Sequence, residues 1–173
     1  GQYLNSILAK TESANAGYEE AILLDERGFV CEGSGENIFV VRDGQIVTPP
    51  HVASILDGIN RKSVMQIASD LGYSVIERDV ARAELYMAEE VFLTGTAAEL
   101  VPVRSIDDHD LGEPGEITRV IQERFEDALH GRAEEYLEWL DEVGEPTGEA
   151  PRPPLPSEVE AEEVGEPSGR LGS

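Results

Sequence analysis

Between Glu20 and Val47 the apolar positions come in short runs separated by acid–glycine turns, a pattern that predicts paired strands rather than helix. Glu20-Ala-Ile-Leu-Leu24 and Phe29-Val-Cys31 flank Asp25-Glu-Arg-Gly28, and Asn37-Ile-Phe-Val-Val41 and Gln45-Ile-Val47 flank Arg42-Asp-Gly44. Each set reads as a hairpin, and Asp-Gly is among the best short hairpin signals. Pro49-Pro50 ends the second one, because proline has no N–H to give a ladder. The period then changes: Val64, Ile67, Ala68 and Leu71 recur every three or four residues, predicting a helix over 60–71 stopped by Gly72. Short strands are expected at 73–76, 90–94 and 100–103, the last at an edge or bulge because of Pro102, with a short helix at 81–87. Ile117, Val120, Ile121, Phe125, Leu129, Leu137 and Leu140 carry a long amphipathic helix over 115–143, with His130-Gly131 as its breaking point. Residues 1–16 read as an extended lead and turn. From 144 to 173 Glu, Pro, Gly and Ser replace large apolar residues, so this division gives a folded domain at 1–143 and an acidic disordered tail.

Charge narrows the partners. The 173 residues hold 36 acids against 13 bases, a net charge of -23, which repels nucleic acid and anionic lipid alike. Lys10 and Lys62 are the only lysines. Acid excess with scarce lysine fits a halophilic protein kept in solution by concentrated salt; an ordinary acidic cytosolic protein is the plainer alternative. Cys31 stands alone, so no internal disulfide can form and a reducing, cytoplasmic setting is expected. No apolar run approaches the ~18 residues of a membrane span, and no secretory signal opens the chain. His51, His109 and His130 lack ligand spacing, so no metal site is implied.

Chemistry concentrates in three cassettes. Glu32-Gly-Ser-Gly-Glu-Asn-Ile-Phe39 places a carboxylate before a glycine-bracketed bend and an amide before an apolar strand. Glycine lets a backbone approach a flat ligand closely. Leu56-Asp-Gly-Ile-Asn-Arg61 lies where the first predicted helix begins, and a helix N-terminus offers N–H donors and a positive dipole end to an anion. Leu93-Thr-Gly-Thr-Ala-Ala-Glu99 follows a strand, and small residues there can form a nest of N–H groups.

In this order and spacing the cassettes resemble the branched-chain aminotransferases, pyridoxal-phosphate enzymes of fold type IV. The resemblance covers residues 1–143 and implies the C-terminal α/β domain of that family, a mixed β-sheet or pseudo-barrel with flanking helices. It implies pyridoxal 5'-phosphate as cofactor, branched-chain amino acids and 2-oxoglutarate as small-molecule substrates, and a homo-oligomer whose site draws on a neighbouring subunit. Glu32 would hold the ring nitrogen protonated; Gly58, Ile59, Asn60 and Thr96 would meet the phosphate; Leu56 would pack on the ring, and Tyr3 would reach its phenolic oxygen. The amides of Thr96 and Ala97 would face the substrate carboxylate, with Ala98 alongside. Asn60 stands where the family often has threonine, yet its amide can also donate to phosphate. Asn37 reads better as a group that orients Glu32 than as a ligand contact.

The family's Schiff-base lysine is expected about three residues before Gly1, since neither Lys10 nor Lys62 matches it, so the chain as written is expected to be inactive. D-amino-acid transaminase and aminodeoxychorismate lyase share the fold and are the near alternatives, disfavoured by the uninterrupted Gly-Glu-Asn-Ile-Phe and Gly-Thr-Ala-Ala-Glu runs. A non-catalytic acidic oligomerisation or binding module is the alternative from another class. The charge pattern also makes a prediction about stability. One molar salt screens repulsion to about 3 Å, so the thermal midpoint should climb steadily from dilute buffer to molar KCl. A midpoint that is flat or falls over that range contradicts the salt-adapted reading.

Overall fold

The computed structural model describes residues 3–141, and the expected acidic tail at 144–173 lies outside them, as does the end of the long helix near 143. The chain begins with a helix, α1 (Leu4–Asn15), where an extended lead was expected. The signal was present: Leu4, Ile7 and Leu8 fall at helical spacing, and Ala9, Lys10 and Glu12 are good helix formers. The small-residue stretch at 13–16 is only its last turn. No residue of α1 is buried.

The strands follow the predicted pattern. β1 (Ile22–Leu24) and β2 (Val30–Gly33) pair antiparallel as a two-stranded sheet. β3 (Asn37–Arg42) and β4 (Gln45–Thr48) form the second hairpin, with positive φ at both Asp43 and Gly44, the conformation an Asp-Gly turn accommodates. The chain then crosses through α2 (Ile59–Asp70) to β5 (Ser74–Glu77), which lies parallel to β4. That crossover is the one parallel step among the described strands. A short helix, α3 (Arg82–Leu85), leads to β6 (Glu90–Gly95) and β7 (Glu99–Pro102), completing a five-stranded mixed sheet in the order β5-β4-β3-β6-β7. Pro102 thus sits on an edge strand, where its missing donor breaks no interior ladder. A small hairpin, β8 (Ser105–Ile106) with β9 (His109–Asp110), follows without having been legible in the sequence. It is two residues a side, too short to show a period.

The last predicted helix divides where expected. α4 (Glu116–Leu129) ends at His130, Gly131 takes a positive φ, and a 3-10 segment (Glu134–Trp139) follows instead of a second α-helix.

β3 and β6 lie inside the sheet and are buried on both faces, which explains their near-continuous apolar runs. On one face Phe39, Val41, Ile46 and Phe92 pack beneath α2 and α4, against Val64, Ile67, Ile121 and Phe125. On the other, Ile38, Val40, Val47, Val91 and Leu93 pack against Val30, Val80 and Leu85. Phe39 and Phe92 are register partners and their rings stack with centroids 4.9 Å apart. Replacing Phe92 by Ala should lower the unfolding free energy by about 3–5 kcal/mol, read by chemical denaturation; a loss below about 1 kcal/mol would show that the two-faced core is not what holds the sheet.

Candidate functional site

All three cassettes meet at one end of the sheet, and the residue that joins them is Asn37. It opens β3, is buried, and pairs with Thr94 near the end of β6. Its Nδ2 donates to Glu32 Oε2 at 3.0 Å and to the Leu56 carbonyl at 3.0 Å. The Leu56 N–H donates to the same Glu32 oxygen at 2.9 Å. One carboxylate oxygen, one amide and one peptide therefore lock β2, β3 and the approach to α2 into a single unit. The expectation that Asn37 orients Glu32 agrees with this geometry.

Glycines make the fit possible at two places. A Cβ on Gly58 would lie 2.2 Å from Asn37 Oδ1, so any side chain there would push the amide out of place. At Gly95 a Cβ would come within 3.0 Å of the Gly35 carbonyl oxygen, which seats the bend of the first cassette on the end of β6. The bend itself is closed by the Gly33 N–H donating to the Glu36 carbonyl at 2.7 Å.

Glu32 Oε1 has no hydrogen-bond partner among the described residues, since both donors go to Oε2. No ion pair reaches this carboxylate among them either. Burial raises the Glu32 carboxyl above its ordinary value, and the Leu56 N–H pulls it part of the way back. Burial likewise raises Glu36, helped by the charge of Glu20, and pushes the Cys31 thiol up to about 11. Cys31 donates to the Ala53 carbonyl at 2.7 Å and is a small buried packing group.

Gly58 is the N-cap of α2 and no side chain caps that end, so the first N–H groups of the helix keep their donors available. Ile59 is 81% exposed and Leu56 60%, unusual for large apolar side chains beside a buried cluster. Thr96, Ala97 and Ala98 form the turn between β6 and β7, held at its base by Thr94 Oγ1 donating to the Glu99 carbonyl at 2.8 Å. Thr96 and Ala97 are exposed and Ala98 is half-buried. The arrangement places a half-buried carboxylate with one open oxygen at the same end of the sheet as the uncapped start of α2 and the 96–98 turn.

Tyr3 is not joined to this set by any hydrogen bond. It precedes α1, accepts from the Ile7 N–H through its carbonyl at 2.9 Å, and is 60% exposed. Lys10 pairs with Glu20 at 2.7 Å and Lys62 with Asp57 at 2.5 Å, both on the surface. Among the described residues no acid, His or Cys cluster could hold a metal, and no helix is long and apolar enough to cross a membrane. Arg61 closes the second cassette, and its guanidinium is buried and bonded to both Pro49 and Glu77. Glu77 is distant in sequence and carries no local signal.

Residues 1–106 match the family described as amino-transferase class IV. The chain is 49% identical over 146 residues to the probable branched-chain-amino-acid aminotransferase of Aquifex aeolicus (strain VF5), covering 83% of this chain and 47% of that protein. Among solved structures it resembles the branched-chain aminotransferase of the thermophilic archaeon Thermoproteus uzoniensis with norvaline, with a TM-score of 0.79 and 48% identity over 80% of this chain and 46% of that one. The Thermobaculum terrenum branched-chain amino acid aminotransferase in its PLP form gives a TM-score of 0.80 at 43% identity, over 83% of this chain and 48% of that one. The chain spans about half the length of the curated relatives it matches. With the family's pattern running through more than half of its residues, this chain belongs to the class IV aminotransferases.

Proposed function

We propose that the full-length protein is a pyridoxal-phosphate-dependent transaminase that moves an amino group between leucine, isoleucine or valine and 2-oxoglutarate. The carrying observation is Glu32, a half-buried carboxylate with one oxygen held by two N–H donors, the other free, and no cation paired with it among the described residues. A buried carboxylate left without a positive partner is costly. A protonated ring nitrogen supplies both the missing charge and the missing donor, so the residues present fit the cofactor. The named activities of the relatives, and the PLP form of one of them, support the same reading.

When bound, pyridoxal phosphate supplies an electron sink for the charge left on the substrate's Cα. Glu32 keeps the ring nitrogen protonated, which deepens that sink, and Asn37 holds Glu32 in place for it. The N–H groups of Ile59 and Asn60, with Gly58 leaving room, and the Thr96 hydroxyl bind the phosphate. Leu56 packs on the ring, Tyr3 reaches its phenolic oxygen from the start of α1, and the amides of Thr96 and Ala97 receive the substrate carboxylate beside Ala98. The protein works on small molecules as a cytoplasmic homo-oligomer adapted to salt, and its net charge of -23 supports the salt adaptation.

Three measurements test this reading. The full-length protein with pyridoxal phosphate should transaminate leucine at least tenfold faster than D-alanine and should release no product from aminodeoxychorismate; the reverse preference rejects the branched-chain assignment. Glu32→Gln keeps an acceptor for Asn37 and Leu56 but cannot hold the ring proton, and should lower kcat by roughly 10²-fold. Its stability should move the other way. The raised Glu32 pKa means that the stability linked to this group is present below its unfolded value and is lost as pH rises through the folded one. Cofactor-free Glu32→Gln should therefore unfold at higher temperature than wild type near neutral pH, with the gap closing at low pH. A variant that is less stable at neutral pH and fully active would make Glu32 a turn cap.

A further inference from the structure

We propose that Arg61 is a positioning residue for the anion-binding first turn of α2, an inference that rests on reading this turn as the seat of the cofactor phosphate. Arg61 is only 2% exposed and is the largest fully buried side chain among the described residues. Its location is electrostatically adverse. It lies in the first turn of α2, whose dipole already presents positive charge and so disfavours a cation. Its burial adds the cost of removing a guanidinium from water. A leucine would carry neither penalty.

What Arg61 gains is a span that leucine cannot make. Nη2 donates to the Pro49 carbonyl at 3.0 Å and to Glu77 Oε2 at 2.6 Å. Pro49 directly follows β4 and starts the segment that leads to Leu56, while Glu77 ends β5. One side chain thus ties the helix start to the ends of the two strands that α2 connects. Asn37 and Glu32 hold the far end of the same segment at Leu56, so residues 49–58 are clamped on both sides.

The charge balance points the same way. Glu77 is the only carboxylate paired with Arg61 among the described residues, and its side chain is 40% exposed. The Nε of Arg61 is buried with no partner among the described residues. Beyond Glu77 and the Asp57 carboxylate just before the helix, an anion at the exposed N-terminus of α2 gives the guanidinium a further counter-charge, and the guanidinium in turn strengthens the helix end's hold on that anion. Arg61 touches neither substrate nor ring in this account; it acts through the peptide N–H groups that its own turn presents.

The test uses the full-length protein carrying Arg61→Lys, Glu77→Ala or, as a control, Arg27→Ala, which removes a half-exposed guanidinium from the nearly buried Asp25 and from Asp79. Lysine keeps the charge but loses the fork, and alanine at 77 leaves Arg61 bonded to Pro49 alone. Pyridoxal phosphate affinity and the 31P resonance of the bound phosphate are read together with the melting temperature of the cofactor-free form. Each of the two site variants should weaken cofactor binding about tenfold and move the 31P resonance, while kcat at saturating cofactor stays within twofold. The control should move neither. A lower melting temperature with unchanged affinity and resonance in both site variants overturns the proposal; should Arg61→Lys not fold, Glu77→Ala decides alone. If the wild-type protein fails to bind pyridoxal phosphate, the functional reading falls and this inference with it.

Discussion

A single buried side-chain amide organises this protein. Asn37 spends its two N–H donors on the Glu32 carboxylate and the Leu56 carbonyl, and its oxygen lies against the one residue that has no side chain to collide with it, Gly58. Three segments separated by as many as 26 positions in the chain become one rigid surface through these contacts. The pairing of Asn37 with Thr94 adds the fourth, because β3 and β6 run antiparallel and bring the start of one to the end of the other. A buried polar network of this kind stabilises only when all its members are satisfied, and within it only Glu32 Oε1 is left for something else.

The sheet supplies the rigidity that such a surface needs. Its inner strands β3 and β6 are covered on both faces, so the segments projecting from their ends inherit the positional precision of a packed core. The crossover through α2 aims a helix N-terminus at the same end of the sheet as the turn after β6. Mixed topology is what permits this: an antiparallel meander alone would not bring a helix start there.

Charge is distributed with the same economy. Among the described residues most of the acidic excess belongs to the surface, where Lys10 and Lys62 also pair and do nothing more. Half-buried Glu32 and fully buried Arg61 stand at opposite ends of the segment joining β4 to α2. Each is incompletely compensated by protein groups. On the proposed function, a ligand with a positive ring edge and a negative phosphate would relieve both at once.

Much of this was readable without coordinates. Hairpins marked by acid–glycine turns, the helix stopped at Gly72 and the break at His130-Gly131 are local matters, settled by turn chemistry and side-chain period over a few residues. The cassettes that mark the family are local too. The first helix was misread because a polar stretch of small residues masked a short apolar spacing, and the β8–β9 hairpin was too brief to carry any period. By itself the sequence determined the main hairpins, the helices α2 and α4 and the residues on which chemistry could rest. Only the tertiary structure decided that Asn37 and Gly58 are a matched pair, that Glu32 keeps one oxygen free, and that Arg61 reaches Glu77. Those are contacts between segments distant along the chain, and no local period or turn signal encodes which distant partner a buried polar group will meet.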